Sequence, residues 1–351
     1  MLIRSDRIVL GLSALLCVLA GLARYGGWSS VVAFLVSAGA VCVLASLVGR
    51  SVEQLGDRFG PGATGVLQSA LGNLPELFIC IFALRAGLVD VVRAALVGSI
   101  LANLLLVLGL AFLVGGLKNG TQQLGSERAR TISVLMLLSV TALAIPSIAH
   151  EVHSPAGAHE VPFSVIVSII LLALFALSLP FSLRRDPSST EVVETEPPRW
   201  PVWLAVAMLA GASLLAAFVS DWFVHSLEPA MNTLNISPVF AGLVIVAIAG
   251  NAVENVVGVQ LAARGQSEYA FAVILNSPIQ IALVLAPALV LISQVFGLAS
   301  LTLVFGPMLV VSLMLSVLLA AAIAQDGEST WLEGATLIAL YGIVATSFWW
   351  G

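Results

Sequence analysis

Apolar residues run in long blocks along almost the whole chain, and polar residues gather in the short gaps between them. Eleven blocks are legible, at about 8–24, 28–49, 66–87, 91–115, 130–149, 163–183, 200–224, 237–263, 269–294, 302–324 and 331–349, with Gly, Pro or a charged residue in each gap. Their lengths match the roughly 17–25 residues that a helix needs to cross a bilayer. In hydrocarbon a backbone must satisfy its own hydrogen bonds, so the blocks are predicted to be helices. The chain reads as an all-α polytopic membrane protein with about eleven transmembrane helices. The longest polar connection, RRDPSSTEVVETEPPR at 184–199, has no apolar periodicity and divides the chain near its middle.

Charge in the gaps sets an orientation. Arg4, Arg7, Arg50, Arg58, Lys118, Arg128, Arg130, Arg184, Arg185, Arg199 and Arg264 fall on the side of the N-terminus, and only Arg24, Arg85 and Arg93 on the other. The positive-inside rule then places the N-terminus in the cytoplasm, and eleven crossings place the C-terminus outside, in a cell (inner) membrane. The basic head and apolar run at the start would also suit a cleaved signal peptide. The charge pattern favours a retained first span.

Two windows stand out within the blocks. GNLPELFICIFALRAGLVDVVRAALVGSILAN (72–103) and GNAVENVVGVQLAARGQSEYAFAVILNSPIQI (250–281) align without a gap. They share Gly72/Gly250, Asn73/Asn251, Glu76/Glu254, Gly87/Gly265, Ala94/Ala272 and Ser99/Ser277, with Asp90 opposite Glu268. We read this as an internal duplication. The windows lie five spans apart, and a unit of five spans ends on the opposite side from its start, so the copies are inverted. The predicted organisation is an extra N-terminal helix (1–25), a first five-helix repeat (26–184), an acidic cytoplasmic linker (185–199) and a second repeat (200–351). Inverted repeats whose interrupted helices meet at the midplane are a transporter architecture.

A carboxylate at the centre of a membrane helix costs about 2.5–3.5 kcal/mol on insertion scales, so something must offset Glu76 and Glu254. Asn73 and Glu76 share one helix face, as do Asn251 and Glu254, Ser99 and Asn103, and Ser277 and Gln280. If the repeats face each other, these eight converge on one pocket offering two carboxylates, four amides and two hydroxyls. Pro75 and Pro278 are expected to free the carbonyls of Leu71 and Ile274 as well. An all-oxygen set suits a hard cation: calcium takes six to eight oxygens, whereas magnesium keeps more of its own water. Two glutamates neutralise one divalent ion or hold two protons, and those exclusive states are a basis for exchange. Singly, each residue also suits a packing role. Ser99, Asn103, Ser277 and Gln280 would all serve as interhelical hydrogen-bonding residues. Two glutamates at matched positions, each followed by serine 23 residues on, point to a site instead.

The chain is 60% hydrophobic and 9% charged, with a formal net charge of −5. That excludes a soluble fold and gives no reason to expect a nucleic-acid partner. The partners expected are the transported ions and the lipid bilayer, with no cofactor. No block contains a His, so an intramembrane enzyme lacks a nucleophile–base pair, and a receptor or scaffold would leave two buried carboxylates unexplained. The gaps at 150–160 (HEVHSPAGAHE), 186–196 and 324–335 (AQDGESTWLEGA) suit zinc capture, calcium sensing or cation attraction in principle. Solvated loops are the simpler reading, with the acids of the last at a helix N-terminus.

GNLPELF and GNAVENVVG resemble the paired Gly-Asn-x-x-Glu repeats of the calcium/proton antiporters, within the calcium/cation antiporter superfamily. GSILANLLLVLG, SPIQIALVLAPALVL and DGESTWLEGA are similar to further blocks of that family, and the resemblance covers about residues 50–345. It implies eleven spans, with Glu76 and Glu254 as alternating calcium and proton sites beside Asn73 and Asn251. It also implies calcium export from the cytoplasm against protons. Three features depart from the pattern. Asn255 stands where the family commonly has His, Asn276 and Pro278 replace Gly and Ser, and Pro75 is more like the sodium/calcium exchangers. Sodium-coupled exchange on the same scaffold is the alternative.

Overall fold

The computed structural model describes residues 3–56, 58, 67, 71–124, 127–183 and 199–350, with backbone alone at 127–130, 178–183 and 252–255. The predicted linker, 185–199, lies outside the described residues except for Arg199. Twelve helices occur among the described residues. They are α1 (Arg4–Tyr25), α2 (Ser30–Gly56), α3 (Leu74–Arg85), α4 (Val89–Asn119), α5 (Glu127–Glu151), α6 (Glu160–Leu183), α7 (Val202–Leu234), α8 (Pro238–Gly250), α9 (Ala252–Ala263), α10 (Ser267–Val295), α11 (Pro307–Asp326) and α12 (Trp331–Ser347). Nine predicted blocks each hold one helix, the eighth holds two, and in the third α3 follows a turn that separates it from helical Leu71, so the architecture is that of an all-α polytopic membrane protein. Eight of these helices are long and apolar enough to cross a membrane.

Which faces are buried confirms the solvent. Helix α1 buries only Asp6, Ser13, Ala20 and Ala23, seven or fewer residues apart, while Ile8, Leu12, Leu15, Val18 and Leu22 face outward. Helix α6 buries Ser164 and Ser168 together with one leucine, Leu171, and exposes Ile166, Ile169, Ile170 and Leu177. Small and polar residues inside with branched aliphatics outside is the inverse of a water-soluble helix and the expected pattern in lipid. Helix α7 runs ten residues past its predicted end, through the polar stretch 225–234. There Ser226 and Thr233 return their hydroxyls to carbonyls of the preceding turn, which keeps polar groups satisfied without a loop.

The chain forms two compact units, Met1–Phe82 with Ala173–Leu234, and Ala83–Leu172 with Asn235–Gly351. Each draws on both sequence repeats. In the first, α2 lies along α7 and α1 packs on both. Leu47, Val48, Val52, Trp200, Ala205 and Ala212 fill its core, and Phe34 stacks on Phe223 with centroids 5.1 Å apart. A buried polar clasp joins its parts. The Asp6 carboxylate accepts from Arg50 Nη1 at 2.9 Å, Trp200 Nε1 at 3.1 Å and the Ile3 amide at 3.1 Å. Gln54 Oε1 accepts the amides of Arg199 and Trp200.

In the second unit α4 and α10 are the central helices, buried along most of their length. Helices α8 and α12 pack on α4, while α5 packs on α10 and α11. Two short strands, β1 (Gln122–Gln123) and β2 (Glu328–Ser329), pair antiparallel and tie the loop after α4 to the loop before α12. Of the acids of the last gap, Glu333 sits at a helix N-terminus as predicted and caps α12, accepting from the Thr330 amide at 2.7 Å, whereas Asp326 ends α11 and Glu328 lies in β2.

The duplication is visible in local geometry. Helix α3 ends with Gly87 N–H donating to Leu84 and Leu88 N–H to Ala83, and α9 ends with Gly265 to Ala262 and Gln266 to Leu261. Gly87 (φ +80°) and Gly265 (φ +79°) supply the left-handed residue that this helix ending requires. Both central helices then contain a π-helical stretch at matched positions, Ala102–Val107 in α4 and Ile281–Leu285 in α10.

Candidate functional site

The two Gly-Asn-x-x-Glu motifs adopt the same local form. Gly72 and Asn73 make a turn and α3 starts at Leu74, so Glu76 is its third residue. Helix α8 stops at Gly250, Asn251 is a one-residue break, and Glu254 is the third residue of α9. Asn lacks the helix propensity to bridge the gap, and its amide can bond locally instead. Asn251 Nδ2 donates to the Ala247 carbonyl at 3.1 Å, beside the backbone bond from Asn251 N–H at 3.2 Å. A break of this kind brings the negative end of one helix dipole and the positive end of the next to one point, which suits a cation and a carboxylate together.

The position of Pro75 changes one expectation. It is the second residue of α3, where a helix has no intrahelical donor to lose. The turn at Gly72–Asn73 interrupts the helix, and the proline follows from that start. Pro278 does lie inside α10, one residue after Ser277.

In the second unit the structure brings four predicted residues together. Ser99, Asn103, Asn251 and Ser277 are all buried, Asn103 completely. Asn103 Nδ2 donates to the Ser99 carbonyl at 2.9 Å and to Ser277 Oγ at 3.3 Å. Ser277 Oγ in turn donates to Asn251 Oδ1 at 3.5 Å. The chain Asn103–Ser277–Asn251 thus crosses from the first repeat to the second through side chains 174 and 26 residues apart in sequence. Both donors of Asn103 are used, which turns its oxygen the other way. Asn103 Oδ1 is buried with no hydrogen-bond partner among the described residues. An orphaned buried carbonyl oxygen loses its full desolvation energy, about 1–3 kcal/mol, unless something positive meets it. Gln280 is buried one turn beyond Ser277, at the edge of the π-helical stretch of α10.

The first unit holds Asn73 and Glu76, and Glu76 is fully buried. The side chains of Glu254 and Asn255 lie outside the described residues, so for Glu254 only its place on α9 is known. Among the described residues the other polar gaps form no comparable site. His150 Nδ1 pairs with Glu160 Oε1 at 3.0 Å across the turn between α5 and α6, with both side chains well exposed. Among the described residues no three His, Cys, Asp or Glu side chains cluster as a metal site. The acidic run 186–196 lies outside the described residues. Sequence reasoning missed the π-helical stretches beside Asn103 and Gln280, and no periodicity in a uniformly apolar block would have signalled them.

The family model described as "Sodium/calcium exchanger protein" matches residues 29–184 and 204–350. Among curated relatives, the "Ca(2+)/H(+) antiporter ChaA" of Bacillus subtilis (strain 168) is 37% identical over 330 residues, 92% of this chain and 93% of that protein. The "Ca(2+)/H(+) antiporter" of Aphanothece halophytica is 32% identical, covering 92% of this chain and 91% of its own. Of solved structures, native YfkE superimposes with a TM-score of 0.83 at 35% identity, over 97% of this chain and 99% of that one. Two motifs at matched helix breaks, a side-chain relay joining the repeats and these likenesses along the whole length agree: the chain belongs to the sodium/calcium exchanger family, within the calcium/cation antiporter superfamily.

Proposed function

We propose that this protein is a secondary active antiporter that exports calcium from the cytoplasm in exchange for protons. The carrying observation is the buried relay Asn103–Ser277–Asn251, made only of oxygen and amide groups and leaving Asn103 Oδ1 without a partner among the described residues. Such donors favour a hard cation, and calcium accepts the high, irregular coordination that amides and hydroxyls provide. Relatives named as calcium/proton antiporters at 32–37% identity support the same ion pair.

In this reading Glu76 and Glu254 supply the charge, and Asn73, Asn251, Ser99, Asn103, Ser277 and Gln280 supply neutral oxygens. The assignment of the two glutamates to one exchange site rests on their matched places in the repeats. With calcium bound, two carboxylates cancel two positive charges. When calcium leaves, each carboxylate takes a proton, because an ionised pair buried in a span is disfavoured. The membrane-buried site therefore stays near neutral in both states, and one state must clear before the other forms. Calcium is substrate here, and no resident cofactor is required.

Sodium-coupled exchange is the second reading, favoured by Pro75 at the start of α3. Calcium uptake into everted vesicles under an imposed pH gradient separates the two. Uptake is expected to persist in sodium-free medium and to collapse when the pH gradient is dissipated. Flux that needs sodium and ignores the pH gradient would reverse the assignment.

The proposed orientation has the N-terminus in the cytoplasm and the C-terminus outside, in the cell membrane. Cysteines at Gln123, on the exposed edge of β1, and at Ala158, in the exposed turn before α6, are expected to label from opposite sides. Gln123 should react from the cytoplasm. Labelling of both from one side would overturn the span assignment.

A further inference from the structure

Within the second unit, α4 and α8 touch backbone to backbone at two glycines. A methyl group on Gly98 would lie 2.5 Å from Leu243 Cα and 2.7 Å from its carbonyl carbon, and would overlap its carbonyl oxygen. A methyl group on Gly242 would lie 2.9 Å from Ala94 Cβ and 3.0 Å from the Ala95 amide nitrogen, and would overlap the Val91 carbonyl oxygen. Carbon atoms ordinarily approach no closer than about 3.5 Å. Each glycine therefore admits the other helix by roughly an ångström more than alanine would.

The crossing sits where the relay begins. Gly98 precedes Ser99, and Asn103 follows one turn later on α4. Gly242 lies in the π-helical stretch Ala241–Val246 of α8, which runs into the break at Asn251. The distance between α4 and α8 thus sets the separation of Ser99 and Asn103 from Asn251. The relay has little slack, with its links at 3.3 and 3.5 Å already at the long end for hydrogen bonds.

We propose that Gly98 and Gly242 are specificity-determining positioning residues, which hold the oxygen donors of α4 and α8 at the spacing that favours calcium over the larger strontium ion. The proposal rests on the reading of Ser99, Asn103 and Asn251 as ion ligands. Selectivity among hard cations follows cavity size and rigidity, and a backbone contact is the stiffest way to set a size. Neither glycine touches the ion.

The test measures uptake of calcium and of strontium, each alone, by purified protein in proteoliposomes under a pH gradient. In Gly98→Ala and Gly242→Ala the KM for calcium is expected to rise about tenfold with a smaller change in turnover. The calcium-to-strontium ratio of turnover over KM should fall by about threefold or more. Gly109→Ala is the control. Gly109 meets Gly334 in a similar but looser backbone contact, its added methyl group lying 2.8 Å from the Gly334 carbonyl oxygen, and it stands six residues beyond Asn103. It should lower the yield of folded protein and leave the ratio unchanged. Ala94→Gly removes bulk from the same crossing and keeps the test open if both alanine variants fail to fold; it should raise the ratio. An unmoved ratio in the variants that fold, or an equal shift in Gly109→Ala, would overturn the proposal. Wild-type protein without proton-driven calcium uptake would instead overturn the reading beneath it.

Discussion

Glutamine in place of either Glu76 or Glu254 is expected to abolish calcium/proton exchange while leaving the helices folded and inserted. Glutamine keeps the shape and one acceptor but can neither carry charge nor take up a proton. Against a divalent ion, one missing carboxylate leaves a unit of positive charge uncompensated in a poorly screened interior. At about 4 Å and an effective dielectric near 20 that is worth about 4 kcal/mol, or roughly a thousandfold in affinity. The proton half-cycle fails as well, because one of its two acceptors is gone. The fold should tolerate the change, since a neutral amide in a span is less costly than an ionised carboxylate. Two readouts check this: exchange in proteoliposomes, and the rise in melting temperature that bound calcium confers on detergent-solubilised protein. Both should vanish in each variant with the calcium-free melting temperature preserved. Near-normal exchange by either variant would end the shared-site reading.

Asn103→Leu should be the next most damaging change, and it separates ligation from packing. Leucine keeps the branched shape but carries bulkier methyl groups, so in a completely buried site it leaves no cavity and costs about 1–3 kcal/mol in overpacking. What disappears is Oδ1 as an acceptor and the Nδ2 bonds to Ser99 and Ser277. A hydrogen-bonding group acting on a charge contributes about 1.5–3 kcal/mol, which predicts a rise of roughly 10- to 150-fold in the KM for calcium. Thermal stability without calcium should fall by no more than that overpacking, because an orphaned buried oxygen is removed along with the bonds. If Asn103 is only interhelical glue, the reverse holds: stability falls further and the KM stays put. Titration of uptake against calcium, beside melting curves without it, distinguishes the two.

Much of this architecture is determined locally, and such features were legible. A bilayer forces each span to satisfy its own backbone, so block length locates the eleven helical segments without knowledge of their neighbours, though not the division of the eighth into α8 and α9. The matched glycines at 87 and 265 end α3 and α9 in the same left-handed turn, because that conformation strongly favours glycine. The two Gly-Asn-x-x-Glu motifs break their helices at the same place because Asn and Gly disfavour helix wherever they sit.

Other features depend on contacts between residues far apart, and no local rule reaches them. Spacing put Asn103 and Ser277 in matched blocks, but the bond between them spans 174 residues and exists only once α4 and α10 pack. Proline chemistry suggested freed carbonyls at Pro75, whereas the turn at Gly72–Asn73 had already ended the preceding helix. The π-helical stretches beside Asn103 and Gln280, and the contact of Gly98 with Leu243, carry no signature in blocks that are apolar on every face. Hydrophobicity there says only that a residue lies in the membrane. Which oxygen turns inward, and how closely two backbones approach, is decided by packing of the assembled helices, where shifts below an ångström separate a hydrogen bond from a gap.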